Sequence, residues 1–205
     1  MARVLITSGP TREYLDPVRY LSNASSGRMG RAMAAAALGA GHEVVIVSGP
    51  VEVDYPAGAE VIPVVSTQEM LDACLKVFPR CDGAIGVAAP CDYRPSAVAP
   101  QKLSKTGRAI RLELVQTPDI LATLAAEKTS QWIVAFALET EDGRARALKK
   151  LYEKHCDLSS STAPPRFTAA TRRWKSSIRT GTSWPPSPAP RTGWPRRSFG
   201  SSGSG

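Results

Sequence analysis

The chain has 205 residues, 42% of them apolar, and a formal net charge of +8. That length suffices for one domain with a proper core, and no run of about 18 apolar residues marks a membrane span. The charge does not point to nucleic acid: residues 1–158 hold 18 basic and 18 acidic side chains, while residues 159–205 carry seven Arg, one Lys and no acid. The opening residues turn polar too soon for a signal peptide. Cys74, Cys81, Cys91 and Cys156 show no C-x-x-C pairing, so reduced thiols in a cytoplasmic protein are expected.

The first apolar run, residues 3–8, reads as a buried strand. Some 18 residues then separate it from a helix over residues 28–39, rich in Ala and Met. A dinucleotide fold would place G-x-G-x-x-G there, and it is absent. Loops of this length inside compact domains are usually functional or disordered. The stretch Ser22-Asn23-Ala24-Ser25-Ser26-Gly27 leads into the helix. Free N–H groups at a helix start, with the positive end of the helix dipole, favour an anion such as phosphate. The same serines also suit an ordinary N-cap, and both readings stand.

Residues 42–48 form a second apolar strand and residues 61–65 a third. Ser66-Thr67-Gln68-Glu69 is a capping box, followed by Met70, Leu71, Cys74, Leu75 and Phe78 at helical spacing. Residues 83–89 form a fourth strand, ending in small residues that let a flat group approach the backbone. It runs into Pro90-Cys91-Asp92-Tyr93-Arg94. Asp92 suits either a Mg²⁺ ligand or a turn cap. The loop Ala99-Pro100-Gln101-Lys102-Leu103-Ser104-Lys105 carries two lysines. These are either solvated surface or a clamp on a transferring phosphoryl group.

Residues 110–115 alternate as a half-exposed strand does. Pro118 and Asp119 open a helix reaching about Lys128, residues 131–137 read as another buried strand, and residues 143–155 as another helix. Phe136 is core or a stacking platform for a base. Lys150 and Lys154, one turn apart, are a solvated face or share an anion. Strands alternating with helices predict an α/β fold: a Rossmann-like, mainly parallel sheet flanked by helices, with ligands beyond the carboxyl ends of the strands.

Residues 159–205 are rich in Ser, Thr, Pro, Arg and Gly and hold three of the four Trp. They read as a low-complexity basic tail. A reading frame displaced near Leu158 would restore an apolar strand where this tail begins. A frameshifted, disordered tail and a sheet left incomplete at its C-terminal side are therefore expected.

Taken together, Thr7-Ser8-Gly9-Pro10-Thr11-Arg12-Glu13, Leu15-Asp16-Pro17-Val18-Arg19-Tyr20, residues 22–30, Val47-Ser48-Gly49-Pro50, residues 88–94, Ala99-Pro100-Gln101-Lys102, Pro118-Asp119-Ile120 and residues 136–140 carry a resemblance. The chain resembles the phosphopantothenoylcysteine synthetase domain of the bifunctional coenzyme A biosynthesis flavoprotein over residues 3–158. The resemblance implies a ligase that joins 4'-phosphopantothenate and L-cysteine with CTP through an acyl-cytidylate, in coenzyme A biosynthesis, as a homodimer with Mg²⁺.

By the same resemblance, Asn23 acts on the acyl-cytidylate, its amide donating to an oxyanion, and Lys102 is the catalytic loop lysine. Asp92 matches a CTP and Mg²⁺ position; Gly86, Val87 and Ala88 match the segment near cytosine. Ser25, Ser26 and Gly27, Pro118, Asp119, Ile120 and Leu121, and Phe136, Lys150 and Lys154 match nucleotide-contacting positions. The family's flavin decarboxylase domain has no counterpart here, so no FMN is expected, nor a specific nucleic acid or a membrane. Another class of reading is an inactive nucleotide-binding remnant whose basic tail adheres to polyanions. Coupled turnover of the three substrates separates the two.

Overall fold

The computed structural model describes residues 1–138, 156–162 and 175–178. In chain order the elements are β1 (Arg3–Ser8), β2 (Arg12–Tyr14), β3 (Tyr20–Ser22), α1 (Arg28–Gly39), β4 (Glu43–Ser48), β5 (Glu60–Pro63), α2 (Thr67–Val77), β6 (Gly83–Gly86), β7 (Tyr93–Pro95), β8 (Leu114–Gln116), α3 (Ile120–Glu127), β9 (Trp132–Leu138), β10 (Leu158–Thr162) and β11 (Lys175–Ile178). The expected helix over 143–155, with Lys150 and Lys154, lies outside the described residues.

The main sheet runs β11-β10-β9-β6-β1-β4-β5, parallel throughout except for the antiparallel β10–β11 pair. β1 sits inside it because both its faces are apolar. Leu5 packs on the side of α2 and α3 with Met70, Cys74, Leu124 and Ile133. Val4 and Ile6 pack on the α1 side with Ala34, Ala37 and Ile46. A strand buried on both faces reads as continuous rather than alternating apolarity, and β1 and β4 do.

The α2 capping box is present with one change of partner. Ser66 Oγ accepts from Glu69 N at 3.1 Å, whereas the Glu69 carboxylate reaches back to Val65 N at 2.8 Å, one residue earlier than the motif predicts. Two glycines set the tightest approaches near the carboxyl ends of the strands. A Cβ on Gly30 of α1 would lie 2.1 Å from Ser8 Oγ, and one on Gly49 would lie 1.6 Å from the Pro10 carbonyl oxygen.

The structure departs from the sequence reading in three places. The long segment after β1 holds a β2–β3 hairpin. The expected strand at 110–115 is short and displaced, forming β8 at 114–116 against β7. Third, the expectation that the sheet stays incomplete beyond residue 158 is corrected for the described residues. Leu158–Thr162 pairs in parallel with Val134–Leu138 of β9, and Lys175–Ile178 adds to β10. The outer edge of β9 offers a row of backbone donors and acceptors that any extended segment can satisfy, whatever its side chains. The rest of the expected tail, residues 163–174 and 179–205, lies outside the described residues.

Candidate functional site

The chemistry-bearing motifs meet where β1 and β6 end. The turn after β6 is laced to the loop after β1: Val87 N and Ala88 N donate to the Thr7 carbonyl and Thr7 Oγ1 at 3.3 and 3.4 Å, and Ala89 N donates to the Gly9 carbonyl at 2.8 Å. A cleft opens there. Thr7, Gly86, Ala88 and Asp92 form one wall; residues 118–121 and Phe136 form the other.

Gly86 is buried, and a Cβ there would meet Leu121 Cδ1 at 2.5 Å, so the absent side chain keeps the two walls this close. Phe136 is half-buried at the cleft. Asp119 caps α3, its carboxylate accepting from Ala122 N at 3.1 Å. That is a structural duty for one residue expected at the nucleotide. Val87 also departs from expectation: its side chain packs with the core on the α1 side, away from the cleft.

Asp92 is exposed at the rim, and no group of three potential metal-ligating side chains exists among the described residues. A single carboxylate facing a cleft suits Mg²⁺, which takes one or two carboxylates, several waters and substrate phosphate oxygens. The neighbouring Cys91 is buried, and burial pushes its thiol up, against the hydrogen bond to Thr11.

The α1 N-terminus stands across the turn. Gly27 is its N-cap at φ 72°, and no side chain caps the helix. Of the two readings open in the sequence, the serine cap is therefore excluded, and the first-turn N–H groups remain available to an anion. Ser25 is half-buried and Ser26 exposed just before it. Asn23 bridges this loop to the β6 turn: its amide Nδ2 donates to the Ala89 and Pro90 carbonyls at 3.2 and 2.9 Å. The reverse amide orientation would oppose oxygens, so the assignment is chemically fixed. Both amide hydrogens are thus engaged, and the expected donation from Asn23 to an oxyanion is revised. In this conformation Asn23 ties the loop before α1 to the turn after β6.

Lys102 is exposed on the loop after β7, next to a polar anchor that the sequence reading passed over. The Asp16 carboxylate accepts from Val18 N, Arg19 N and Leu103 N at 2.8, 2.9 and 3.1 Å, and from Arg19 Nε at 2.9 Å. Burial pushes the Asp16 carboxyl up, but the N–H groups of Val18, Leu103 and Arg19 and the Arg19 guanidinium outweigh it and bring it down to about 2.

A second unread network holds the cleft's base. Thr11 is fully buried; its hydroxyl bonds Thr67 Oγ1 at 2.8 Å and accepts from Cys91 N at 2.8 Å. Thr117 Oγ1 donates to the Cys91 carbonyl at 2.5 Å, and the buried Glu13 accepts from Thr67 N at 2.8 Å. A buried Thr and Glu between two strands, in a segment without apolar period, is the only local signal of it. Lys150 and Lys154 fall outside the described residues.

The model of the DNA/pantothenate metabolism flavoprotein C-terminal domain family matches residues 1–161. The coenzyme A biosynthesis bifunctional protein CoaBC of Bacillus subtilis is 46% identical over 156 residues, 76% of this chain but 38% of that protein. The chain thus spans about two fifths of the length of such relatives. The crystal structure of the C-terminal domain of a CoaBC superposes with a TM-score of 0.70 at 41% identity, covering 78% of this chain and 76% of that one. A Cab2 mutant solved in complex with phosphopantothenate-cysteine superposes with a TM-score of 0.62 at 18% identity, over 79% of this chain and 72% of that one. This last likeness concerns the fold.

Proposed function

Because the chain belongs to the DNA/pantothenate metabolism flavoprotein C-terminal domain family, we propose that it is a CTP-dependent ligase joining 4'-phosphopantothenate to cysteine. A carboxylate oxygen of 4'-phosphopantothenate attacks the α-phosphorus of CTP, and pyrophosphate leaves. The cysteine amine then attacks the acyl carbon of the acyl-cytidylate, CMP leaves with the bridging oxygen, and the new amide nitrogen gives up a proton.

The observations that support the reading are the cleft walled by Gly86 and Asp92, the start of α1 without a side-chain cap, which Asn23 ties to the turn beside that wall, and the exposed Lys102 on a loop held by Asp16. CTP lies in the cleft, its base against the small residues at the end of β6 and the Phe136 ring. The phosphates run toward α1, whose N–H groups favour anions. Mg²⁺, when bound, neutralises triphosphate charge, and Asp92 would hold it. The Lys102 ammonium meets charge developing at the transferred phosphorus. Asn23 fixes the separation of the two loops between which the acyl-cytidylate forms.

A second copy of the chain is the proposed partner. The β7–β8 ribbon exposes Tyr93, Leu114 and Val115, and a two-stranded ribbon is marginal in water without a surface to cover it. No helix among the described residues is long and apolar enough to cross a membrane.

The test is pyrophosphate release from CTP and 4'-phosphopantothenate, measured before and after cysteine is added. One burst per site without cysteine and steady turnover with it is the expected result. CTP binding without either leaves the inactive nucleotide-binding remnant. Lys102→Ala should cut the burst rate by roughly 10²-fold or more with CTP affinity nearly kept; an unchanged burst refutes the lysine's role.

A further inference from the structure

Residues 97–112, which carry Lys102, contain no strand or helix. Among the described residues, their hydrogen bonds to the rest of the protein occur at two places. Ala99 N donates to the Leu15 carbonyl at 2.9 Å. At Leu103, the residue after Lys102, both backbone groups are taken: its N–H by the Asp16 carboxylate, its carbonyl by the Arg19 guanidinium. The same guanidinium is paired to Asp16 at 2.8 Å. Asp16 has no solvent exposure, although Arg19 is partly exposed.

We propose that Asp16 is a positioning residue for the Lys102 loop: with Arg19 it clasps the Leu103 peptide and so fixes where the Lys102 ammonium stands relative to the cleft.

The argument is one of restraint. A lysine on an untethered loop samples many positions, and little of the binding energy of substrate reaches the reacting centre unless the charge is already in place. Holding both the N–H and the C=O of the next residue removes most of that freedom at one point of the backbone, while leaving Lys102's own side chain free to extend. A buried carboxylate is expensive unless its lone pairs are filled. Three of the four donors on Asp16 come from its own turn, from Val18 and Arg19. The turn therefore satisfies the charge largely by itself, and the Leu103 N–H is the contact made across to the loop. The inference rests on the ligase reading for what Lys102 does, but the clasp itself is read from Asp16, Arg19 and Leu103.

The experiment uses the full chain and two variants, Asp16→Asn and Leu103→Pro. The first keeps shape and removes the charge; the second removes the N–H that Leu103 donates to Asp16, while also fixing φ at 103 and biasing Lys102 to extended backbone, and leaves the three donors within the Asp16 turn in place. Two readouts are taken: hydrogen exchange of the Leu103 segment, and the pyrophosphate burst with its dependence on CTP. Both variants should exchange at 99–108 faster by roughly tenfold or more, the factor that one hydrogen bond to a charged group is worth. Exchange in β1 and β4 should not change. Burst rate should fall by a similar factor while the CTP concentration for half-saturation stays within about twofold, because position and not binding is lost.

If Asp16→Asn fails to fold, Leu103→Pro decides alone. Unchanged exchange at the loop, or faster exchange with an unchanged burst, overturns the role of Asp16 and leaves the ligase reading standing. A parent chain that binds CTP but releases no pyrophosphate refutes the ligase reading and, with it, the role of Asp16.

Discussion

Alanine in place of glycine should act with opposite sign at two positions of the same helix. Helix α1 contains Gly30 in its first turn and Gly39 as its last residue. Alanine is intrinsically better than glycine in a helix by about 1 kcal/mol. At Gly39 a Cβ meets nothing within 4 Å, so Gly39→Ala should stabilise by about 0.5–1 kcal/mol, somewhat less than the full propensity at a frayed end.

At Gly30 the added Cβ would lie 2.1 Å from Ser8 Oγ and 2.5 Å from Ser8 Cβ. Ser8 cannot step aside freely: its hydroxyl takes a 2.8 Å hydrogen bond from Tyr55 OH, which also bonds Ser48 Oγ at 2.7 Å. Its backbone belongs to the buried strand β1. Overpacking of this kind costs about 1–3 kcal/mol. Loss of the Tyr55 bond adds about 1 kcal/mol. After the propensity gain, Gly30→Ala should destabilise by about 1–3 kcal/mol.

Urea unfolding followed by circular dichroism gives both numbers, with an unchanged slope as the sign that only stability moved. The double change Ser8→Gly with Gly30→Ala removes both clashing atoms and leaves Ser8 Cα at 3.4 Å from the new Cβ. It should therefore recover part of the loss, a coupling of about 1 kcal/mol or more between contacting residues. Equal signs at Gly30 and Gly39, or strictly additive effects of Ser8→Gly and Gly30→Ala, refute the reasoning.

Asn23→Asp sets a carboxylate against the Ala89 and Pro90 carbonyl oxygens; it should cost about 1–2 kcal/mol in stability and, by displacing the two loops it ties, lower turnover by roughly 10²-fold, read by thermal melting and product formation. Normal turnover in a variant of wild-type stability would show that the tie is dispensable. The Asp16 carboxyl, ordinarily at 3.8, stands at about 2 in the fold. A depressed carboxyl stabilises above its unfolded value and loses that contribution as pH falls toward the folded one. Arg19 is the charged group in contact with it. Protection of the Leu103 amide should therefore be flat from neutral pH to about 4 and fade between about 4 and 2, once intrinsic exchange is corrected for; a loss near pH 6 would place the restraint elsewhere.

The fold was legible where the code is local. The alanine-rich run of α1 coincides with its helix end to end, and the β-branched runs of β1 and β4 are strands within a residue. What stayed hidden is held by contacts distant in sequence. The β2–β3 hairpin has no apolar period; Thr11 and Glu13 reach Thr67, and Thr11 reaches Cys91, some 80 residues on. The same applies at the site. Motif residues around Gly86, Asp92 and Pro118 meet in one cleft as the alternation of strands and helices implied. Asp16, by contrast, declares itself only through its bond to Leu103, because nothing local in the turn at residues 15–19 says which distant loop it grips.

The central place of β1 also sets a timetable. It is made before both of its partners: its two neighbours, β4 and β6, arrive about 40 and 80 residues later. At roughly 5–20 residues per second, the second side of β1 waits on the order of ten seconds for Gly83–Gly86 to emerge. Through that interval Val4, Leu5 and Ile6 present one unpaired, strongly apolar border, the kind of surface that recruits other nascent chains. The β1–α1–β4 unit alone covers one face and one side of it. The longer that half-covered condition lasts, the longer the border is open to pairing with other chains.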